Sequence, residues 1–155
     1  MAVTLTPTAG VKIQVSAAAP ATFDKAGFEA LTWTDVGGFD NAGEMGDGYE
    51  AQNFDSLTDG RIPYRGILDG GSVDANMADD PADEGQVIMK AAFDAAKGSS
   101  TELLSYRVID QSNNYTAGQA MVVTWRRNFG GANDVIRRSA QLRLIPGTIV
   151  EDTES

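Results

Sequence analysis

The chain has 155 residues, 42% of them hydrophobic, and a formal net charge of −10 from 22 acids and 12 bases. That is the size of one globular domain, 1–155, and the acidic excess argues against phosphate-neutralising nucleic-acid binding and against adhesion to an anionic membrane. The sequence has no Cys and no His, which removes thiol nucleophiles, disulfides, Ser-His triads and nearly all zinc sites.

Neither a signal-peptide pattern nor an apolar run long enough for a membrane-spanning helix is found, so none is expected. Val11, Ile13, Val15 and Ala17 alternate with Lys12, Gln14 and Ser16, which predicts a half-buried strand. A helical turn within residues 23–30 and a strand over 31–36 follow. Residues 37–60 are rich in Gly and acids, with isolated large residues and no clear periodicity, and predict a long, flexible acidic loop. Pairing of residues 49–54 in a long hairpin stays open.

In residues 61–68, Ile62, Tyr64, Gly66 and Leu68 share one face, and Arg61, Pro63, Arg65 and Ile67 the other. Pro63 lacks an amide donor, which places this strand at an edge. After a turn at Asp69, residues 72–78 put Val73, Ala75 and Met77 on one face and Ser72, Asp74 and Asn76 on the other.

A helix is predicted over 81–97, with Asp80 as N-cap, Pro81 in the first turn and Gly98 as the stop. Asp83, Gln86, Lys90, Asp94 and Lys97 form a narrow polar stripe. The remaining apolar arc is wider than contact with one sheet needs. Either the helix is sunk in its own core, or part of the arc meets a neighbouring subunit, with Met89 and Phe93 as candidates.

Three strands close the chain: 103–110 with Leu104, Tyr106 and Val108; 117–129 with Met121, Val123 and Trp125; and 135–145 with Ile136, Ala140, Leu142 and Leu144. Turns fall at Ser112 to Asn114 and Gly130 to Asn133. Residues 148–155 read as a polar tail, frayed over 151–155. The fold class is α+β, mostly antiparallel β: a small sandwich-like or barrel-like domain with one flanking helix and a long acidic loop.

The charge is localised. Residues 24–59 hold nine acids against Lys25 alone, which reads either as a solvated loop or as a surface that repels a polyanion. The adjacent pairs Arg126-Arg127 and Arg137-Arg138 split across strand faces, where the outward member is either solvated or meets acids of another subunit. No phosphate-binding glycine motif is complete, and residues 40–48 resemble a calcium loop in composition only. No catalytic constellation emerges; neither an enzyme, a cofactor nor a metal site is expected.

Residues 21–46 (ATFDKAGFEALTWTDVGGFDNAGEMG), residues 60–75 (GRIPYRGILDGGSVDA) and the helix from Pro81 resemble the major tail (tail tube) proteins of long, non-contractile tailed phages, the lambda-like group. The resemblance spans about residues 10–147. It implies a sandwich-like β domain with a flanking helix, six copies in a ring, and rings stacked into a tube that passes viral DNA without specific binding.

The implied partners are further copies of the chain and tape-measure, tail-tip and tail-terminator proteins. The implied location is the virion tail, assembled in the host cytoplasm. In such proteins a mobile loop orders on stacking. Asp40, Glu44, Asp47, Glu50, Asp55 and Asp59 occupy that place here, and Ser72, Asp74 and Asn76 are candidates for an acidic channel wall. The immunoglobulin-like domain that often follows in the family is not expected. The alternatives are the inner tube of a gene transfer agent or other tail-derived machine and, from another class, a small acidic β binding module.

Overall fold

The computed structural model describes residue 5, residues 9–41 and residues 43–154. The elements run β1 (Lys12–Ser16), α1 (Lys25–Glu29), β2 (Thr34–Val36), β3 (Phe39–Asn41), β4 (Gly48–Ser56), β5 (Gly60–Asp69), β6 (Ser72–Ala78) and α2 (Glu84–Asp94). A 3-10 turn (Ser100–Glu102), β7 (Leu103–Ile109), β8 (Asn114–Asn128), β9 (Arg137–Leu144) and β10 (Val150–Thr153) follow.

All pairings are antiparallel. The main sheet runs β2-β1-β7-β8-β9-β6-β3, with β10 also paired to β8, and β4 and β5 form a separate two-stranded ribbon. The α+β, mainly antiparallel expectation holds.

The core forms because strands from both ends of the sheet turn their apolar positions toward one interior. Ile13, Val15 and Val36 from one end meet Val73, Met77, Leu142 and Leu144 from the other, so the sheet is strongly curved, and α2 fills the opening with Met89 and Ala92. The opposite face of β7 and β8 is covered by α1. There Phe28 packs with Ile109, Tyr115 and Ala117 in a second, smaller cluster. This double cover explains why β7 is buried on nearly every residue.

The start of α2 differs from the sequence expectation. Its N-cap is Asp83, whose carboxylate accepts from Gln86 N at 3.0 Å; Asp80 instead caps a local turn by accepting from Ala82 N. Gln86, expected on the polar stripe, is buried because backbone groups satisfy its amide. Its Nε2 donates to Ala78 O (2.8 Å) and Gly37 O (3.3 Å), and its Oε1 accepts from Asp80 N (3.1 Å). Asp83 also accepts from Gly37 N. The helix is thereby stitched to the ends of β2 and β6.

Gly85 makes this close approach possible. A Cβ there would stand 2.6 Å from Asp35 O and 2.7 Å from a Val36 methyl. The helix ends at Asp94, about a turn before the expected Lys97, because Ala95 adopts an extended backbone.

Four further expectations are corrected. The 37–60 stretch is not one aperiodic loop: it contains β3 and β4. Residues 150–153 are not a frayed tail but a strand on β8. In β8, a bulge between Val122 and Thr124 reverses the side-chain alternation. Ala120 and Val122, ahead of the bulge, point inward, Val123 at the bulge is exposed, and the shift of register turns Trp125 toward the core. Ile136, expected inside, precedes β9 and is exposed.

Candidate functional site

Among the described residues there is no group of His, Cys, Asp or Glu arranged to hold a metal ion, and no helix is long and apolar enough to cross a membrane. The features that invite chemistry with a partner are surfaces.

The first is the β4–β5 ribbon. Its register sets Phe54 opposite Ile62, Gln52 opposite Tyr64, and Asp55 opposite Arg61. Cross-strand partners share a face. One face therefore carries Phe54, Ile62 and Tyr64, which are 63%, 42% and 54% exposed. The other carries the Arg61–Asp55 ion pair (2.9 Å) and Arg65 over the Tyr49 ring.

An extra residue in β5 opposite Glu50 breaks the alternation. Leu68 therefore pairs with Tyr49 on the arginine face rather than joining Ile62 and Tyr64 as expected. At the tip, Ser56 Oγ accepts from Thr58 N and Asp59 N, and Gly60 (φ 77°) closes the turn.

Of the acids assigned to the loop, Glu44 and Asp47 precede the ribbon, Glu50 and Asp55 lie on β4, and Asp59 is in the tip, all exposed. The side chain of Asp40 lies outside the described residues. Pro63 sits on a ribbon strand, in agreement with its edge assignment.

The second surface is the outer face of β6, β9 and the end of β8. Asp74 is exposed there, with Ser72 and Asn76 half-buried. Their cross-strand neighbours are Gln141, Arg143 and Ser139, and Ser139 in turn faces Arg126. Arg143 reaches Asp69 at 3.7 Å. The row expected to be an acidic wall therefore shares its face with arginines, and its local charge is mixed rather than negative.

The third is α2. Met89 is fully buried in the domain's own core, which corrects its assignment to a subunit contact: a side chain with no exposed surface has nothing to offer a neighbour. Phe93 (40% exposed) and Val87 remain outside. The apolar arc is thus divided between core and surface.

Two charge clusters, one partly buried and one buried, leave no mark in the sequence. Asp79 receives Arg127 Nε at 2.9 Å and Arg138 Nη2 at 3.1 Å, and Arg138 also lies over the Trp125 ring. Arg127 and Arg138 are directly opposite in the β8–β9 register, so one carboxylate neutralises a like-charged cross-strand pair. Separately, Arg107 is buried between the Trp33 and Tyr115 rings and donates to Gln14 Oε1. Gln14 Nε2 passes the contact to Asp35 (2.8 Å). Burial lowers the guanidinium's pKa below its ordinary value, opposed by the nearby acids Glu154, Glu29 and Asp35. Both clusters depend on partners distant in sequence, and no local motif marks them.

No protein-family model matches the sequence, and no curated protein matches it. Solved structures do match in fold. The chain is similar to a subunit of the SPP1 tail tube, with a TM-score of 0.66 and 17% identity over 94% of this chain and 77% of that one. It is similar to a chain in the sheath/tube terminator of PVC, an extracellular contractile injection system (TM-score 0.69, 7% identity, covering 99% and 100%). It is also similar to a chain in the C6-symmetric tail of an empty GTA particle (TM-score 0.63, 12% identity, covering 97% and 100%). A contractile system is among these, so the fold does not single out long non-contractile tails. The chain has the fold of tail tube subunits and of their counterparts in related tail-derived particles.

Proposed function

We propose that this protein is a structural subunit of a tube, assembling into stacked rings, six copies to a ring, that form the conduit of a phage tail. The observation that carries the reading is the agreement of fold over nearly the whole chain with subunits of tubular particles. The sixfold number is supported by the C6 symmetry of the GTA tail.

The exposed ribbon fits this role. A two-stranded ribbon with apolar side chains in water is marginal on its own and gains stability when a neighbour covers it. The net charge of −10 suits a conduit through which DNA slides without attachment, since like charge repels phosphates. Tape-measure, tail-tip and tail-terminator proteins are the further partners this role requires, and the virion tail is its location. The inner tube of a gene transfer agent is the same role in another particle.

Sedimentation velocity across a concentration series tests the proposal. Growth from a 16.4 kDa subunit to rings and longer species supports it. A single monomer boundary at every concentration overturns it.

A further inference from the structure

We propose that the β4–β5 ribbon of one subunit lies on a specific shelf of a second copy, the arginine-rimmed apolar surface at the β8–β9 end. This rests on the reading of the chain as a subunit of a repeating assembly, and names the surface that receives the arm.

The ribbon leaves its own domain bare. Among the described elements, β4 and β5 pack extensively on each other alone, with Asp69 at the base of β5 reaching Arg143 of β9. Its length, about 30 Å at 3.3 Å per residue, is enough to cross a small neighbouring domain. Its apolar face, Phe54, Ile62 and Tyr64, is bordered by Glu50 on the same side of β4 and by Asp59 in the tip. Residues 44–69 carry six acids against Arg61 and Arg65.

The shelf is the complement. Phe129, Val135 and Ile136 are 62%, 66% and 43% exposed around the β8–β9 turn, and the Arg127 guanidinium lies over the Phe129 ring. Residues 123–138 carry four arginines against Asp134. Asp79 pairs with Arg127 and Arg138, and the Arg126 side chain stands exposed on the outer face.

An acidic, apolar arm and a basic, apolar shelf on one molecule are mutually complementary, yet the arm does not fold back onto its own shelf. A second copy is the occupant that satisfies both at once. Such a contact is head-to-tail, the type that propagates into rings or filaments. Its charges make it weaken as salt rises.

The absence of native Cys permits a direct test. Phe54→Cys and Ile136→Cys are prepared separately and mixed in equal amounts under mild oxidation, beside the parent protein. The expected result is a disulfide-linked dimer in the mixture and in neither variant alone. A dimer from Phe54→Cys alone means that ribbons pair with ribbons and overturns the proposal. Assembly of the parent without a cross-link in the mixture overturns the shelf while leaving the tube reading intact. A parent that never associates overturns both.

In a second arm, Glu50→Lys with Asp59→Lys, or Arg126→Glu alone, raises the concentration needed for assembly by roughly tenfold. Mixing the two charge-reversed proteins restores it. Assembly unaffected by either reversal contradicts the proposal.

Discussion

Replacing Asp79 with Ala tests whether the fold at the β8–β9 end depends on a single carboxylate. Its side chain is 9% exposed and holds Arg138 (11% exposed) and Arg127 (41% exposed). Arg127 contributes little, because its charge is half in water and most of what it loses is returned by solvent. Arg138 cannot relax in this way. Without Asp79 its guanidinium keeps the Trp125 ring but loses its carboxylate, directly opposite Arg127. Breaking a buried pair costs about 3–5 kcal/mol, and the partial exposure here places the expectation at about 3 kcal/mol. At 2–4 °C per kcal/mol for a domain of this size, the midpoint of thermal unfolding falls by roughly 6–12 °C. Asp79→Asn, which keeps an acceptor, should lose less, and Arg127→Ala should cost under about 1 kcal/mol. Thermal unfolding followed by circular dichroism at a concentration where the protein is monomeric provides the readout. A loss within about 1 kcal/mol of the parent for Asp79→Ala would refute the reasoning, since Arg138 would then be adequately solvated without it.

Gly85→Ala should destabilise the domain by about 1–3 kcal/mol, because the added methyl meets Asp35 O at 2.6 Å and α2 must lift from β2; a denaturant titration measures it. Phe93→Glu should leave a folded monomer and block assembly, whereas Met89→Glu should unfold the domain. Circular dichroism paired with sedimentation separates the two, and an unfolded Phe93→Glu would place that ring in the core. The amides that bond across β4 and β5 should exchange rapidly in the monomer and be protected in the assembly; equal protection in both states would contradict the role of the ribbon as a subunit contact.

What could be read in the sequence follows from contrast between faces. β6 was legible to the residue because Val73, Ala75 and Met77 are buried while Asp74 faces water. β4 lacks that contrast. It is exposed on both faces, so Tyr49 and Phe54 looked like isolated residues in an acidic loop. β10 is short and gains its place from backbone pairing with β8 rather than from an apolar pattern.

The helix start shows how local pattern misplaces a cap. Asp80-Pro81 suited a cap, but Asp83 followed three residues later by Gln86 was the one used. The polar type of Gln86 points to solvent, and the backbone of β6 and of the β2–β3 turn makes its burial tolerable. The Asp79 cluster was invisible because Arg138 lies 59 residues away. In the Ser72, Asp74 and Asn76 row, alternation identified the outward face correctly. It could not show that β9 and β8 bring arginines beside it.

The central claim, that the chain builds a tube, is tested most directly by electron microscopy of the purified protein at high concentration, with rotational averaging of end-on views. The account predicts stacked rings with an open channel and sixfold symmetry. Discrete monomers in every field, or filaments without a channel, would contradict it.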